Sequence, residues 1–166
     1  MSHLLKIFSV IFVMCFLCVF SAQAEDVGKI LSITPDNVPR YVETIKGVKL
    51  VFIYASWCPT CRKVMPDVVQ LSTVNPKSII ALSVDEDAGQ LLQYISENYG
   101  GKFPLGTTPI VVKEKNSGHL RDILRSIWRT DIGEGIPSMV LLDADNNVIA
   151  QGTNITNEAA TVISKP

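Results

Sequence analysis

Histidine is nearly missing from this chain of 166 residues, with two copies, and cysteine is scarce, with four. A structural zinc site wants four cysteine or histidine ligands, so this supply bounds metal chemistry tightly. The formal net charge is −1, which leaves no basic field to mark a nucleic-acid binder. There is no internal repeat, low-complexity tract or interdomain linker, which excludes solenoids and arrays. No heptad or apolar stripe points to an assembly, so the oligomeric state is not written in the sequence.

Long apolar runs are also lacking. The longest, Ile7–Phe20, falls short of the roughly 20 residues a membrane span requires. One basic residue, Lys6, precedes it, and "SAQA" with Ala22 and Ala24 follows. This is the layout of a secretory signal, with cleavage expected after Ala24 and an uncleaved anchor as the alternative. Neither Cys15 nor Cys18 is preceded by the small residues of a lipidation box. The expected division is therefore 1–24 signal peptide and 25–166 a single domain, long enough for a real core. Processing removes Cys15, Cys18 and Lys6. The mature chain keeps Cys58, Cys61 and His119, and export would place the pair where disulfides persist.

Hydrophobic periodicity gives the order of elements. A short strand is expected within 27–33 and a helix from about Pro39 to a stop at Gly47. The apolar run "KLVFIYA" (49–55) fits a strand covered on both faces. Helical spacing runs from Cys58 to about Thr73, a second buried strand covers 78–84, and a helix covers Gly89–Tyr99. Residues 102–118 are irregular, with a strand expected near Ile110–Lys113. A helix over 119–130 would turn Leu120, Ile123, Leu124, Ile127 and Trp128 inward. The stretch 138–152 reads as a hairpin and Glu158–Ser164 as a last helix. Alternating strands and helices followed by a hairpin imply an α/β domain with a central mixed sheet flanked by helices.

"SWCPTCR" (56–62) holds both remaining cysteines. Three readings compete. A zinc site lacks ligands, although a Cys₂His copper site with His119 is conceivable. A structural bridge across two residues closes so small a loop that it stabilises little. A redox pair fits the local physics best. Cys58 would sit at a helix N-terminus, where free N–H groups and the helix dipole favour a thiolate. Arg62 and Lys63 add positive charge, or are simply solvated. Pro59 suits the first helical turn. This geometry predicts an exposed attacking Cys58 and a shielded resolving Cys61, as exchange through a mixed disulfide needs.

"YASWCPTCRKVMP" resembles the active-site segment of the thioredoxin superfamily, and in particular its exported TlpA/ResA/CcmG (DsbE) branch of thiol–disulfide oxidoreductases. Pro66 matches the kink-forming proline of the active-site helix, and "GIPSMVLLD" resembles the cis-proline segment. The resemblance covers roughly 27–166, with motif-grade matches at 56–66 and 135–152. It implies a thioredoxin-like fold with Cys58 attacking, Cys61 resolving and Pro137 cis beside them. Ile136 would offer backbone groups to an extended partner segment, and Trp57 an apolar contact surface. No cofactor beyond the Cys58–Cys61 pair is implied. The implied partners are proteins carrying thiols or disulfides, apocytochrome c among them, with electrons from a membrane donor and a bacterial periplasmic location. An oxidase or isomerase, or a non-catalytic copper-handling or partner-binding module, are the alternatives.

The sequence also departs from the family. The acid that typical thioredoxins bury six residues before the first cysteine is replaced by Phe52, and its lysine partner is absent near Ala81. "SVDEDAG" (83–89) offers Asp85, Glu86 and Asp87 as substitutes, as the branch resemblance implies. The register favours Glu86 as the proton acceptor that tunes Cys61; a solvated loop or helix cap is the competing reading. The segment 104–135 is longer than a minimal fold of this type needs, and either shapes partner choice or is a neutral insertion.

Overall fold

The computed structural model describes residues 29–113 and 118–164. The expected signal peptide lies outside them. The elements are β1 (Leu31–Ile33), α1 (Val38–Thr44), β2 (Lys49–Tyr54), α2 (Pro59–Val74), β3 (Ile79–Ser83), α3 (Ala88–Tyr99), β4 (Ile110–Val112), α4 (Gly118–Trp128), β5 (Ser138–Leu142), β6 (Val148–Gly152) and α5 (Thr156–Ile163). Short 3₁₀ turns at Pro35–Asn37 and Pro76–Ser78 lead into α1 and β3.

The sheet order is β1-β4-β3-β2-β5-β6. β1, β4, β3 and β2 are parallel, and β5 and β6 are antiparallel. Successive side chains of a strand point to opposite faces, and here both faces are covered. Leu50, Phe52 and Tyr54 of β2 therefore join one core, with residues of α2, α3 and α5. Val51 and Ile53 join the other, with α1 and α4. This double burial is why β2 reads as a continuous apolar run. Phe52 is fully buried, stacked on Tyr54 at 5.0 Å between ring centroids, and opposite Ala81 on β3. The place of the missing acid is thus filled by packed hydrocarbon.

Sheet register decides where the loops meet. β2 and β3 run parallel, so their C-terminal ends, Tyr54 and Ser83, lie side by side. β5 runs the other way, so its first residue, Ser138, pairs with Ile53 at the same end. The cysteine motif, the loop after Ser83 and the segment before Ser138 therefore converge at one end of the central strands.

One side-chain expectation fails. Ile127 is 48% exposed. Leu120, Leu124 and Trp128 form the buried stripe of α4, and Ile127 falls to one side of it in the last turn. At the opposite end of the sheet, Lys49 is buried, and its ammonium donates to Asn146 Oδ1 at 2.6 Å across the β5–β6 turn. Burial, helped by Lys46, lowers its pKa.

Candidate active site

Cys58 has extended backbone (φ −81°, ψ 113°) and caps α2, its Sγ accepting from the Cys61 N–H at 3.1 Å. Pro59 opens the helix, where a missing N–H costs nothing. The two cysteines are bonded as a disulfide with a Cα–Cα distance of 5.2 Å. Cys61, Val64, Met65, Val68 and Leu71 form the buried face of α2, and Pro66 lies within the helix.

The Ile136–Pro137 peptide bond is cis. Cys58 Sγ lies 3.6 Å from the Ile136 carbonyl oxygen. In the disulfide this is a contact, because the sulfur carries no proton; in the dithiol it becomes an S–H donating to the carbonyl. This contact also explains a departure from expectation. Cys58 is only 4% exposed, against 1% for Cys61, so the attacking sulfur is not openly exposed. The Ile136 segment covers it. Trp57, 58% exposed, stands beside the pair.

The acid of the β3–α3 loop is placed differently from the register read in the sequence. Glu86 is exposed. Asp85 is buried, at 1% exposure. Its carboxylate accepts from the Ser56 N–H (3.1 and 3.2 Å), from Ser56 Oγ (2.7 Å) and from Ser83 Oγ. Its own N–H donates to Ser83 Oγ at 3.0 Å. The physical reason is strand parity. The chain stays extended past Ser83, the Val84 N–H donating to the Tyr54 carbonyl at 2.8 Å, so Asp85 keeps the face of Ile79 and Ala81 under the motif, and Asp87 becomes the cap of α3, its Oδ1 accepting from the Gln90 N–H. Ser56 is the hinge of this network, since its carbonyl accepts from Arg62 Nε at 2.8 Å. The Arg62 guanidinium lies 5.3 Å over the Tyr94 ring. Sequence reasoning missed Ser56, Ser83 and Tyr94, and among the three acids of the loop it favoured Glu86 over Asp85. The signal that marks the two serines is Ser83 at the end of β3 and Ser56 two residues past the neighbouring β2, both donating to a single carboxylate.

Burial pushes the Tyr94 phenol up, and its hydrogen bond with Tyr99 adds to the effect. Burial also raises Tyr54 well above its usual value, and the charge of Asp85 contributes. Both phenols are therefore neutral O–H groups at ordinary pH. The Tyr54 hydroxyl has no hydrogen-bond partner among the described residues.

The metal reading finds little support in this geometry. His119 lies 3.4 Å from Asp36, on the α1/α4 face of the sheet, while Cys58 and Cys61 belong to the opposite core. Among the described residues no group of three or more His, Cys, Asp or Glu side chains is placed to hold a metal ion. The residues present do not fit a Cys₂His copper centre.

A four-stranded parallel sheet extended by an antiparallel hairpin, with C-x-x-C capping the helix after its central strand and a cis-proline against the sulfur, defines a thioredoxin fold bearing a disulfide at its motif. The chain belongs to the thioredoxin-like family, whose model matches residues 47–148. A curated relative, the thiol:disulfide interchange protein DsbE homologue of Paracoccus denitrificans, is 33% identical over 78 residues. That match covers 46% of this chain and 41% of the relative, so it spans less than half of the relative's length. Among solved structures, a thiol:disulfide interchange protein of the thioredoxin family from Chlorobium tepidum superposes with a TM-score of 0.53 at 21% identity, covering 79% of this chain and 88% of that one. A secreted Mycobacterium tuberculosis disulfide oxidoreductase gives 0.50 at 17% identity, covering 73% and 84%. At these identities the two structures show the fold.

Proposed function

We propose that the protein is an exported thiol–disulfide oxidoreductase that reduces disulfides of partner proteins through Cys58 and Cys61. The observation that carries this reading is the Cys58–Cys61 disulfide at the head of α2, with the Ile136 carbonyl 3.6 Å from Cys58 Sγ. The interchange activity named for the Paracoccus relative supports it.

In the dithiol form, the Cys58 thiolate attacks one sulfur of a partner disulfide. The partner's S–S bond breaks, an S–S bond to Cys58 forms, and the displaced partner thiolate takes up a proton. Cys61, once deprotonated, attacks Cys58 Sγ. The mixed disulfide breaks, the second partner thiolate leaves and is protonated, and Cys58–Cys61 closes. Two electrons have passed to the partner. The helix N-terminus stabilises the Cys58 thiolate, both as nucleophile and as leaving group. Trp57 and the Ile136–Pro137 segment receive the partner chain. No cofactor beyond the cysteine pair takes part. Each cycle leaves the pair oxidised, so a dithiol donor must return two electrons; for an exported protein in the periplasm, a membrane protein is the natural source. Among the described residues no helix is long and apolar enough to cross a membrane. Apocytochrome c is the substrate that the DsbE-like branch suggests.

For the carboxylate behind the motif, the hydrogen bonds to Ser56 favour Asp85 over Glu86. Asp85 fixes the chain entering the motif and places a negative charge behind it.

The test is single-turnover reduction of insulin by the pre-reduced protein. The proposal expects Cys58→Ser to abolish it, while undiminished reduction by that variant would refute the assignment.

A further inference from the structure

Residues 129–137 connect α4 to β5 and lead into the cis-proline segment, where Ile136 is partly buried against both cores. Glycines 133 and 135 add no packing to the connection: a Cβ at either would meet nothing within 4 Å. The connection begins with Arg129 in left-handed conformation (φ 47°), which ends α4 and turns the chain back toward the sheet. Three contacts then fix it, the first a hydrogen bond from Thr130 Oγ1 to Gln151 Oε1 on β6. Ile132 is 2% exposed, sunk into the α1/α4 core. Arg125, one helical turn before the end of α4, donates from Nε to the Ile132 carbonyl at 2.9 Å. Its two other nitrogens lie 3.8 Å from Asp122 and from Asp131. The guanidinium thus joins helix, loop carbonyl and loop carboxylate in one planar fork, which an ammonium cannot copy. A cavity of about 200 Å³, lined by Asp131, Gly133, Gly135, Pro137, Gln151 and Gly152 among others, opens between this anchored loop and β6.

We infer that Arg125 is a positioning residue for partner binding: by pinning Ile132 it sets the Ile136–Pro137 segment, and the cavity beside it, in the place where an extended polypeptide carrying the disulfide is received. This rests on the oxidoreductase reading above. Arg125 touches neither cysteine in the geometry described, so it acts on what reaches Cys58 and leaves the sulfur chemistry alone. It also gives part of the 104–135 segment a role in partner choice. A polypeptide disulfide must lie along the loop, whereas a small neutral disulfide needs only access to Cys58. The two substrate sizes should therefore respond differently.

The experiment compares pre-reduced wild-type chain and Arg125→Gln in single-turnover reduction of insulin and of bis(2-hydroxyethyl) disulfide. Misplacement of a binding element by about 1 Å costs up to roughly a hundredfold, and loss of the Arg125 anchor should raise the half-saturating insulin concentration about tenfold. The maximal insulin rate and the rate with the small disulfide should stay within about twofold of wild type, and Arg125→Lys should recover only part of the loss. Equal losses with both substrates, or no loss with either, would overturn the role of Arg125 while leaving the oxidoreductase reading intact. A wild-type protein that reduces neither substrate would overturn that reading and this role with it. Should Arg125→Gln fail to fold, Asp131→Asn carries the test. Its side chain is 94% exposed, and loss of that ion pair should raise the half-saturating insulin concentration about twofold with no change for the small disulfide. An unchanged value there would overturn the inference.

Discussion

The cysteine pair is held from two sides, and the two sides are built differently. Behind it, the β3–α3 loop presents a buried carboxylate that accepts from Ser56 and Ser83 and, through the Ser56 carbonyl, reaches Arg62. Every member lies on α2 or within two residues of the end of a central strand, so this side is tied closely to the sheet. In front of it, the Ile136–Pro137 segment is held by the packing of Ile136, by buried Ile132, by the Arg125 fork and by the Thr130–Gln151 hydrogen bond, across a glycine-containing connection. A buried, fully hydrogen-bonded polar cluster is costly to disturb and specifies one arrangement. A glycine-containing loop tied at a few separate points is cheaper to displace. The rigid side is suited to setting the chemistry of the pair, and the adjustable side to choosing what reaches it.

The largest expected effect comes from forcing the rigid side toward the usual thioredoxin arrangement. Phe52→Asp would bury a carboxylate at a fully enclosed position among Leu50, Tyr54 and Ala81, with no cation described near it. A loss of about 3 kcal/mol or more is expected in urea denaturation, from lost packing and an unpaired buried acid. Next comes Asp85→Ala, which leaves the Ser56 N–H and hydroxyl and the Ser83 hydroxyl without their acceptor. About 2–3 kcal/mol should be lost in the same measurement.

Asp85→Asn keeps shape and part of the hydrogen bonding while removing the charge. The sign follows from electrostatics: a negative charge behind the motif disfavours a thiolate, so its removal favours one. The pH midpoint for iodoacetamide alkylation of reduced Cys58 should move down in Asp85→Asn, and stability should fall by only about 1 kcal/mol. The smallest effect is expected of Glu86→Gln. An exposed side chain away from such features changes stability by no more than about 0.5 kcal/mol, and the alkylation midpoint should stay put. If Glu86→Gln moved the midpoint and Asp85→Asn did not, the comparison would invert and the acid read from the sequence would be the functional one.

Much of the scaffold was legible because double burial writes itself plainly. "LVFIYA" and "SIIALSV" had to be central strands, and the Asp143–Asn147 turn announced a hairpin. The cysteine motif and the Pro66 and Pro137 segments were legible through resemblance. What stayed hidden depends on which way one residue faces after a strand ends. Asp85 and Glu86 differ by one position, and the parity of β3, carried two residues past Ser83, points Asp85 inward. The burial of Cys58 was equally invisible, because the segment that covers it lies 78 residues downstream. Arg125 reads in sequence as one more solvated charge on an amphipathic helix; its partner, the Ile132 carbonyl, has no sequence signature at all.

The central claim is that Cys58 is the sulfur that meets the partner and Cys61 the one that lets it go. Mixing reduced Cys61→Ala protein with a disulfide-bonded polypeptide, quenching in acid and mapping the adduct by mass spectrometry tests it directly. The account predicts a long-lived mixed disulfide carried on Cys58. No adduct, or an equal yield of adduct on Cys61 from the matching Cys58→Ala protein, would contradict it.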